Sequence, residues 1–436
     1  MILKVQPVSS LKGRVRLPAS KSYSIRAFLA AACGGVSVLR FPSDCDDAKV
    51  ALGAARSLGV KISRPGPGAW RLSAGGRPHL AGINVKESGT VLRLVLPLAA
   101  LRGSKVRVTG EGTLKGRPNR HLLQALRSMG VHVRGTGPGE SVPIRISGGA
   151  IRGGRIALDA SVSSQFVSSL LMTCPLLEDD SVLALKGRQL VSSDYVAMTL
   201  QVLRRAGIRM TRRGERLFFI PGRQVYRGLG HFTVPSDYGL AAFLLAACAL
   251  VPSAAVLTGH FDDALVQADG RILGFLRRMG VRFRRTKNAL LIRGPFALKG
   301  GRFSLKDCPD LVPVMAVLAL FARGTTRLCD IRHARVKESD RISDLRSELL
   351  KTGADVRETQ TELIINPRPG YRSGVLLDPH QDHRLAMAFS VLGLKIGTKI
   401  RDIDCVRKSY PGFVRDIRAL GAKVSRAKQG KILNKR

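Results

Sequence analysis

Aromatic side chains make up only 5% of this 436-residue chain, with a single tryptophan. That scarcity, and the absence of a recognised nucleic-acid motif, argue against a nucleic-acid-binding module. The seven cysteines (33, 45, 174, 248, 308, 329 and 405) are odd in number and include no Cys-x-x-Cys pair. They read as reduced thiols, which excludes a disulfide framework and a zinc site. The start, Met1-Ile2-Leu3-Lys4-Val5, has no charged lead, apolar segment or small-residue cleavage site, so the expected location is the cytoplasm. No long membrane-spanning run is present either. The longest apolar stretch, 239–257, is broken by Pro252 and Ser253 and reads as a buried helix.

Acidic residues are also few. Against 72 Lys and Arg stand 31 Asp and Glu, a formal charge of +41. An RNA-associated protein is one reading of that surplus, because phosphate backbones reward scattered cations. The basic residues run along the whole chain, however, and a general compositional bias accounts for them more simply. No specific nucleic-acid partner is expected. A hydrophobic share of 44% with 24% charged residues is that of a folded chain, and this length favours two domains over one.

What the sequence does contain is a repeat. Six segments look like an amphipathic helix closing on glycine and passing into a strand, with the glycines at 59, 130, 207, 280, 353 and 421. Glycine after the last turn is the left-handed cap expected there. A second series of six, far more apolar, opens on polar clusters beginning at Lys21, Glu87, Ser163, Pro235, Pro309 and Gln381. Alternating helices and short strands such as 105–108 make this an α/β fold of six equivalent units.

Ser, Thr and Asp at helix starts have an ordinary role as caps of free N–H groups. Cations there oppose the helix dipole. Yet Lys21, Arg26, Arg93, Arg117, Lys337, Arg341, Arg384 and Lys408 lie in or near first turns. A bound phosphate or carboxylate resolves that conflict. In the densest cluster, 335–341, Lys337 and Arg341 are expected one helical turn apart with Glu338 beside them. An acid role for Glu338 among these cations needs desolvation or a nearby anionic ligand.

These residues resemble the family of 5-enolpyruvylshikimate-3-phosphate synthases over nearly the whole chain. The resemblance is carried by Leu17-Pro18-Ala19-Ser20-Lys21-Ser22 with Arg26, Ser88-Gly89-Thr90 with Arg93, Arg117-Pro118, and Val162-Ser163-Ser164-Gln165-Phe166. It continues in Arg335-Val336-Lys337-Glu338-Ser339-Asp340-Arg341, Asp382-His383-Arg384 and Lys408. It implies two similar domains of three βαβαββ units each, with the substrate cleft between them: 16–230 as one domain, 1–15 plus 231–436 as the other. The implied reaction transfers the enolpyruvyl group of phosphoenolpyruvate to the 5-hydroxyl of shikimate 3-phosphate, in a monomer that needs no metal or organic cofactor.

Residue by residue, the resemblance places shikimate 3-phosphate on Lys21, Ser22, Arg26, Ser163, Ser164, Gln165, Ser192, Tyr195, Asp310 and Lys337. Phosphoenolpyruvate meets Lys21, Gly89, Arg117, Gln165, Arg341, Arg384 and Lys408. Asp310 is the implied base and Glu338 the implied acid, assisted by Lys21. The chain departs from the family pattern at Glu87, Ser193-Asp194, Gly239-Leu240, His333 and Gln381, and His383 reads as structural. The sibling UDP-N-acetylglucosamine enolpyruvyl transferase is the nearest alternative. It typically carries a cysteine in a loop that here reads Gly110-Glu111-Gly112-Thr113-Leu114-Lys115-Gly116-Arg117-Pro118, without one.

Overall fold

The computed structural model describes residues 1–102, 105–187 and 191–427. The apolar series forms α1 (Lys21–Ala30), α3 (Gly89–Ala100), α5 (Ser164–Thr173), α7 (Tyr238–Leu250), α9 (Val312–Leu320) and α11 (His383–Ile396). The amphipathic series forms α2 (Asp46–Ser57), α4 (Arg120–Ser128), α6 (Ser193–Arg205), α8 (Arg271–Arg278), α10 (Ser343–Lys351) and α12 (Phe413–Ala419). The six repeat glycines each have φ between 82° and 103°, the left-handed conformation that stops a helix and turns the chain into its strand. Every residue of α7 is buried, and the helix ends two residues before Pro252. No helix among the described residues is long and apolar enough to cross a membrane.

Five of the six apolar helices are capped by the side chain just before them. Ser20, Ser88, Ser163, Asp237 and Asp382 each accept from a backbone N–H of the first turn. Each such cap stabilises its helix by about 1 kcal/mol. α9 is the exception, entered through a short 3-10 turn, Pro309–Leu311, with no side-chain cap. Its acid, Asp310, bonds elsewhere.

The strands among the described residues form six four-stranded sheets of one design: one parallel pair and two antiparallel neighbours. Gly82–Asn84 lies parallel to Val106–Thr109, which pairs antiparallel with Ser141–Gly148, itself paired with His132–Thr136. Three of the sheets are completed by strands from distant sequence. Leu11–Arg16 joins Ser253–Thr258, Ile2–Val5 sits between Thr398–Ile400 and Val424–Ala427, and Gly230–Thr233 joins Val36–Arg40. The chain thus starts in one unit, crosses to the other, and returns.

Those crossings define two compact units, each with its own apolar core and three repeats. One is Met1–Pro18, Ser236–Asp262 and Ala268–Arg436; the other is Ala19–Pro235 with Asp263–Gln267. The sequence reading put the changes of domain at 15/16 and 230/231. The compact units change over a few residues later, at the caps of α1 and α7, and the short segment 263–267 goes with the second unit. Gln201 of α6 holds that segment, accepting from the Val266 N–H and donating to the Ala264 carbonyl.

Candidate active site

In the Ala19–Pro235 unit, the starts of α1, α3 and α5 carry most of the predicted ligand-binding groups. Lys21, first residue of α1, places Nζ 3.0 Å from Asp47 Oδ2 in the first turn of α2. Arg26 is 1% exposed and bridges α1 to α6. It donates to Thr199 Oγ1 (2.8 Å), the Ser22 carbonyl (3.0 Å) and the Tyr195 carbonyl (3.1 Å). Burial lowers its pKa to about 10, with Tyr195 and Tyr23 opposing the shift, so it stays charged at neutral pH. Among the described residues, three of its five N–H groups are used, leaving donors for a ligand.

Arg93 ties α3 to α5. It donates to Gln165 Oε1 (2.7 Å), Ser163 Oγ (3.3 Å), Asn119 Oδ1 (3.3 Å) and the Pro118 carbonyl (3.2 Å), and lies 5.0 Å from the Phe166 ring centre. Gln165 Nε2 in turn donates to Thr90 Oγ1 at 2.9 Å. The Arg117 guanidinium covers Gly89 so closely that a Cβ there would stand 2.8 Å from its Nη1. Gly89, Arg117, Ser163 and Gln165 are therefore brought together. Ser164 is buried beside them, Ser22 is half-buried, and Ser192 takes a left-handed φ of 56° just ahead of α6 and Tyr195.

The other unit holds a different arrangement, centred on Arg341, which is 1% exposed. Its Nε lies 2.7 Å from Asp382 Oδ2, Nη1 2.6 Å from Asp310 Oδ1, and Nη2 2.7 Å from Glu338 Oε2. Arg384 shares Asp310, with Nη2 2.7 Å from Oδ2. Burial pushes Asp310 up, but Arg384, then Arg341 and Lys337, outweigh it and hold the carboxyl well below the usual range. Burial acts against the charge of Arg341, and Asp382, Asp310 and Glu338 more than restore it. Lys337 is half-buried, and Lys408, also buried, ends the 3-10 turn Ile403–Lys408 ahead of α12.

Two sequence expectations change here. The 335–341 segment is not a helix start: a 3-10 turn ends at Val336, the chain bends through Lys337, and α10 begins only at Ser343. Asp340 explains the bend. Its Oδ1 accepts from the N–H groups of Ile342 and Ser343 while its carboxylate binds Arg335, so the helix is nucleated after Arg341. Second, three of the eight cations do not require a bound anion for neutralisation. Asp47 supplies it for Lys21, and Asp310 for both Arg341 and Arg384, because folded carboxylates reach the same positive ends.

Asp47, Thr90, Asn119, Thr199, Asp269 and Asp382 were not among the predicted site residues. Thr90 and Asp382 carried a signal, each as part of a quoted motif; the others are isolated polar residues with partners far along the chain. At the departures, His333 is buried and its pKa falls to about 3, through burial first and then the charge of Lys337. His380 and Gln381 both adopt left-handed φ (50° and 60°), at a position where asparagine is less strained than glutamine. His383 is buried with Nδ1 3.9 Å from Asp382 Oδ1.

The family profile of EPSP synthase (3-phosphoshikimate 1-carboxyvinyltransferase) matches residues 5–417. The 3-phosphoshikimate 1-carboxyvinyltransferase of Methanosarcina acetivorans is 34% identical over 423 residues, 95% of this chain and 97% of that one. That of Methanothermobacter thermautotrophicus is 36% identical over 429 residues, covering 98% and 100%. Among solved structures, EPSP synthase from Acinetobacter baumannii superposes with a TM-score of 0.78 at 26% identity, covering 98% of this chain and 100% of that one. The enolpyruvyl transferase NikO from Streptomyces tendae, at 19% identity and a TM-score of 0.77, shares the fold. The chain belongs to the EPSP synthase (3-phosphoshikimate 1-carboxyvinyltransferase) family.

Proposed function

We propose that this chain transfers the enolpyruvyl group of phosphoenolpyruvate to the 5-hydroxyl of shikimate 3-phosphate, releasing phosphate. The single observation that carries the assignment of roles is the contrast between the two sets of side chains. One is a cluster of hydroxyl, amide and cationic donors around Arg26, Arg93 and Arg117; the other is a carboxylate–arginine network around Arg341. The first suits gripping anions and the second suits moving protons.

In this reading Ser22, Arg26, Ser163, Ser164, Ser192, Tyr195 and Lys337 hold shikimate 3-phosphate, with Gln165 shared between the substrates. Gly89 and Arg117, with Arg341, Arg384 and Lys408, hold phosphoenolpyruvate. Glu338, assisted by Lys21, protonates C3 of phosphoenolpyruvate as the 5-hydroxyl oxygen bonds to C2. Asp310, kept ionised by Arg384 and Arg341, accepts the hydroxyl proton. So strongly paired a carboxylate is a weak base. Proton transfer to it therefore accompanies C–O bond formation, when protonation at C3 has made C2 electrophilic. The tetrahedral adduct then breaks its C2–O bond to phosphate and loses a proton from C3, giving the enol ether. Lys21 and the arginines stabilise the departing dianion.

In this reading the enzyme works as a single chain in the cytoplasm. Incubation with phosphoenolpyruvate and either acceptor tests the reading. Phosphate release is expected with shikimate 3-phosphate and not with UDP-N-acetylglucosamine; the reverse pattern overturns it.

A further inference from the structure

Asp269 is a buried carboxylate that the mechanism above does not use. It sits in the 3-10 turn Ala268–Gly270 that leads into α8, and is 6% exposed. Its Oδ2 stands 3.7 Å from Arg384 Nη2, while the same guanidinium makes its 2.7 Å contact with Asp310. Arg384 Nη1 also points at the carbonyls of Asp310 (3.3 Å) and Gly239 (3.4 Å). The arginine is thus fixed from the start of α7, the turn before α9 and the turn before α8 together.

Gly239 is what makes this packing possible. A Cβ at that position would stand 2.2 Å from Asp269 Oδ2 and 3.1 Å from Arg384 Nη1. Real Cβ atoms do not approach that closely, so glycine leaves the space in which carboxylate and guanidinium meet.

The surroundings are rich in acid. Asp310 faces Asp269 from the turn before α9 and Asp237 faces it from the cap of α7; Arg384 of α11 and Arg341 from the turn before α10 are the opposing cations. The Tyr238 ring packs on Gly270, and the neighbouring Arg271 is paired with Asp307. Arg341 already binds Asp310, Asp382 and Glu338. Two guanidiniums and the Lys337 ammonium therefore face five carboxylates in a largely buried volume, and an incoming anion on Arg384 adds a further negative charge. Like charges so close together favour protonation of one member.

We propose that Asp269 is a positioning residue for Arg384 that exchanges its charge with the substrate anion: when a carboxylate or phosphate occupies Arg384, Asp269 takes up a proton. The inference rests on the reading that Arg384 receives phosphoenolpyruvate. It is supported by the titration of Asp269, which burial, against Arg384 and with Asp310 and Asp237, raises to about 7. Ionised Asp269 orients the guanidinium in the free protein, and protonated Asp269 stops competing with the ligand. Phosphoenolpyruvate then binds more tightly below pH 7 than above it, with affinity falling by up to about tenfold per unit as pH rises.

The test is calorimetric titration of phosphoenolpyruvate into protein saturated with 5-deoxyshikimate 3-phosphate, which lacks the attacking hydroxyl and cannot react, at pH 7.5 in two buffers of different ionisation enthalpy. It is run on the wild type and on the neutral replacements Asp269→Asn and Asp269→Ser, with KM and kcat followed from pH 6 to 9. The wild type should take up a fraction of a proton more than either variant. The variants should hold KM for phosphoenolpyruvate nearly constant above pH 7, where that of the wild type climbs. Equal proton counts, with KM raised by the same factor at every pH, would mean that Asp269 is structural and overturn the proposal. A wild type that binds both substrates but releases no phosphate would instead refute the proposed reaction.

Discussion

Arg26 and Arg341 are the same residue at the same 1% exposure, one in each unit, yet their surroundings drive them in opposite directions. Arg26 bonds three neutral oxygens, and burial lowers its pKa to about 10. Arg341 is surrounded by Asp310, Asp382 and Glu338 and is held far more firmly charged. A buried cation without a carboxylate is costly unless an anion completes it, whereas one matched by three acids is already neutralised. On the proposed reading, Arg26 keeps its positive charge available to an anionic ligand, whereas Arg341 uses its own to organise acids.

Breaking the second arrangement should have the larger effect on stability. Arg341→Met takes away the cation shared by Asp310, Asp382 and Glu338 and should cost about 3–5 kcal/mol, read as a lower urea midpoint with unchanged slope. Loss of proton transfer comes next. Glu338→Gln and Lys21→Ala should each slow turnover at least about a hundredfold without unfolding the protein. Near-normal rates for both would mean the roles are assigned to the wrong residues.

The contrast is sharpened by Arg26→Met, which strands only neutral acceptors. Its stability loss should be about 1–2 kcal/mol, well below that of Arg341→Met, while shikimate 3-phosphate should no longer raise its melting temperature as it does the wild type's. The effect that is smallest near neutral pH, and grows on acidification, is a pH profile. Buried His333 has its pKa lowered to about 3. The unfolded chain, with an ordinary value of about 6.5, therefore binds a proton that the folded protein refuses. Stability should fall by up to about 1.4 kcal/mol per unit as pH drops from 6.5 towards 3, and His333→Asn should flatten that slope.

The repeat was legible because each glycine cap lies a few residues from the helix it ends, as at Arg56-Ser57-Leu58-Gly59-Val60. Strand exchange was not, because no local pattern couples Leu11–Arg16 to Ser253–Thr258; only the family resemblance suggested it. In the site, Lys21, Gln165 and Arg384 were legible through their motifs. The partners of Arg341 were hidden by separation, since Asp310 and Asp382 lie 31 and 41 residues away. Asp269 was invisible for a further reason: its meaning depends on a missing side chain, that of Gly239.

The division of labour is tested most directly by running the reaction in deuterated water with wild type and Glu338→Gln, and measuring deuterium at the vinyl carbon of the product. The wild type should incorporate it. The variant should lose incorporation and turnover together, while KM for phosphoenolpyruvate stays within about threefold. Wild-type incorporation in a variant whose KM alone has risen would contradict the account, because Glu338 would then be gripping the substrate and not moving its proton.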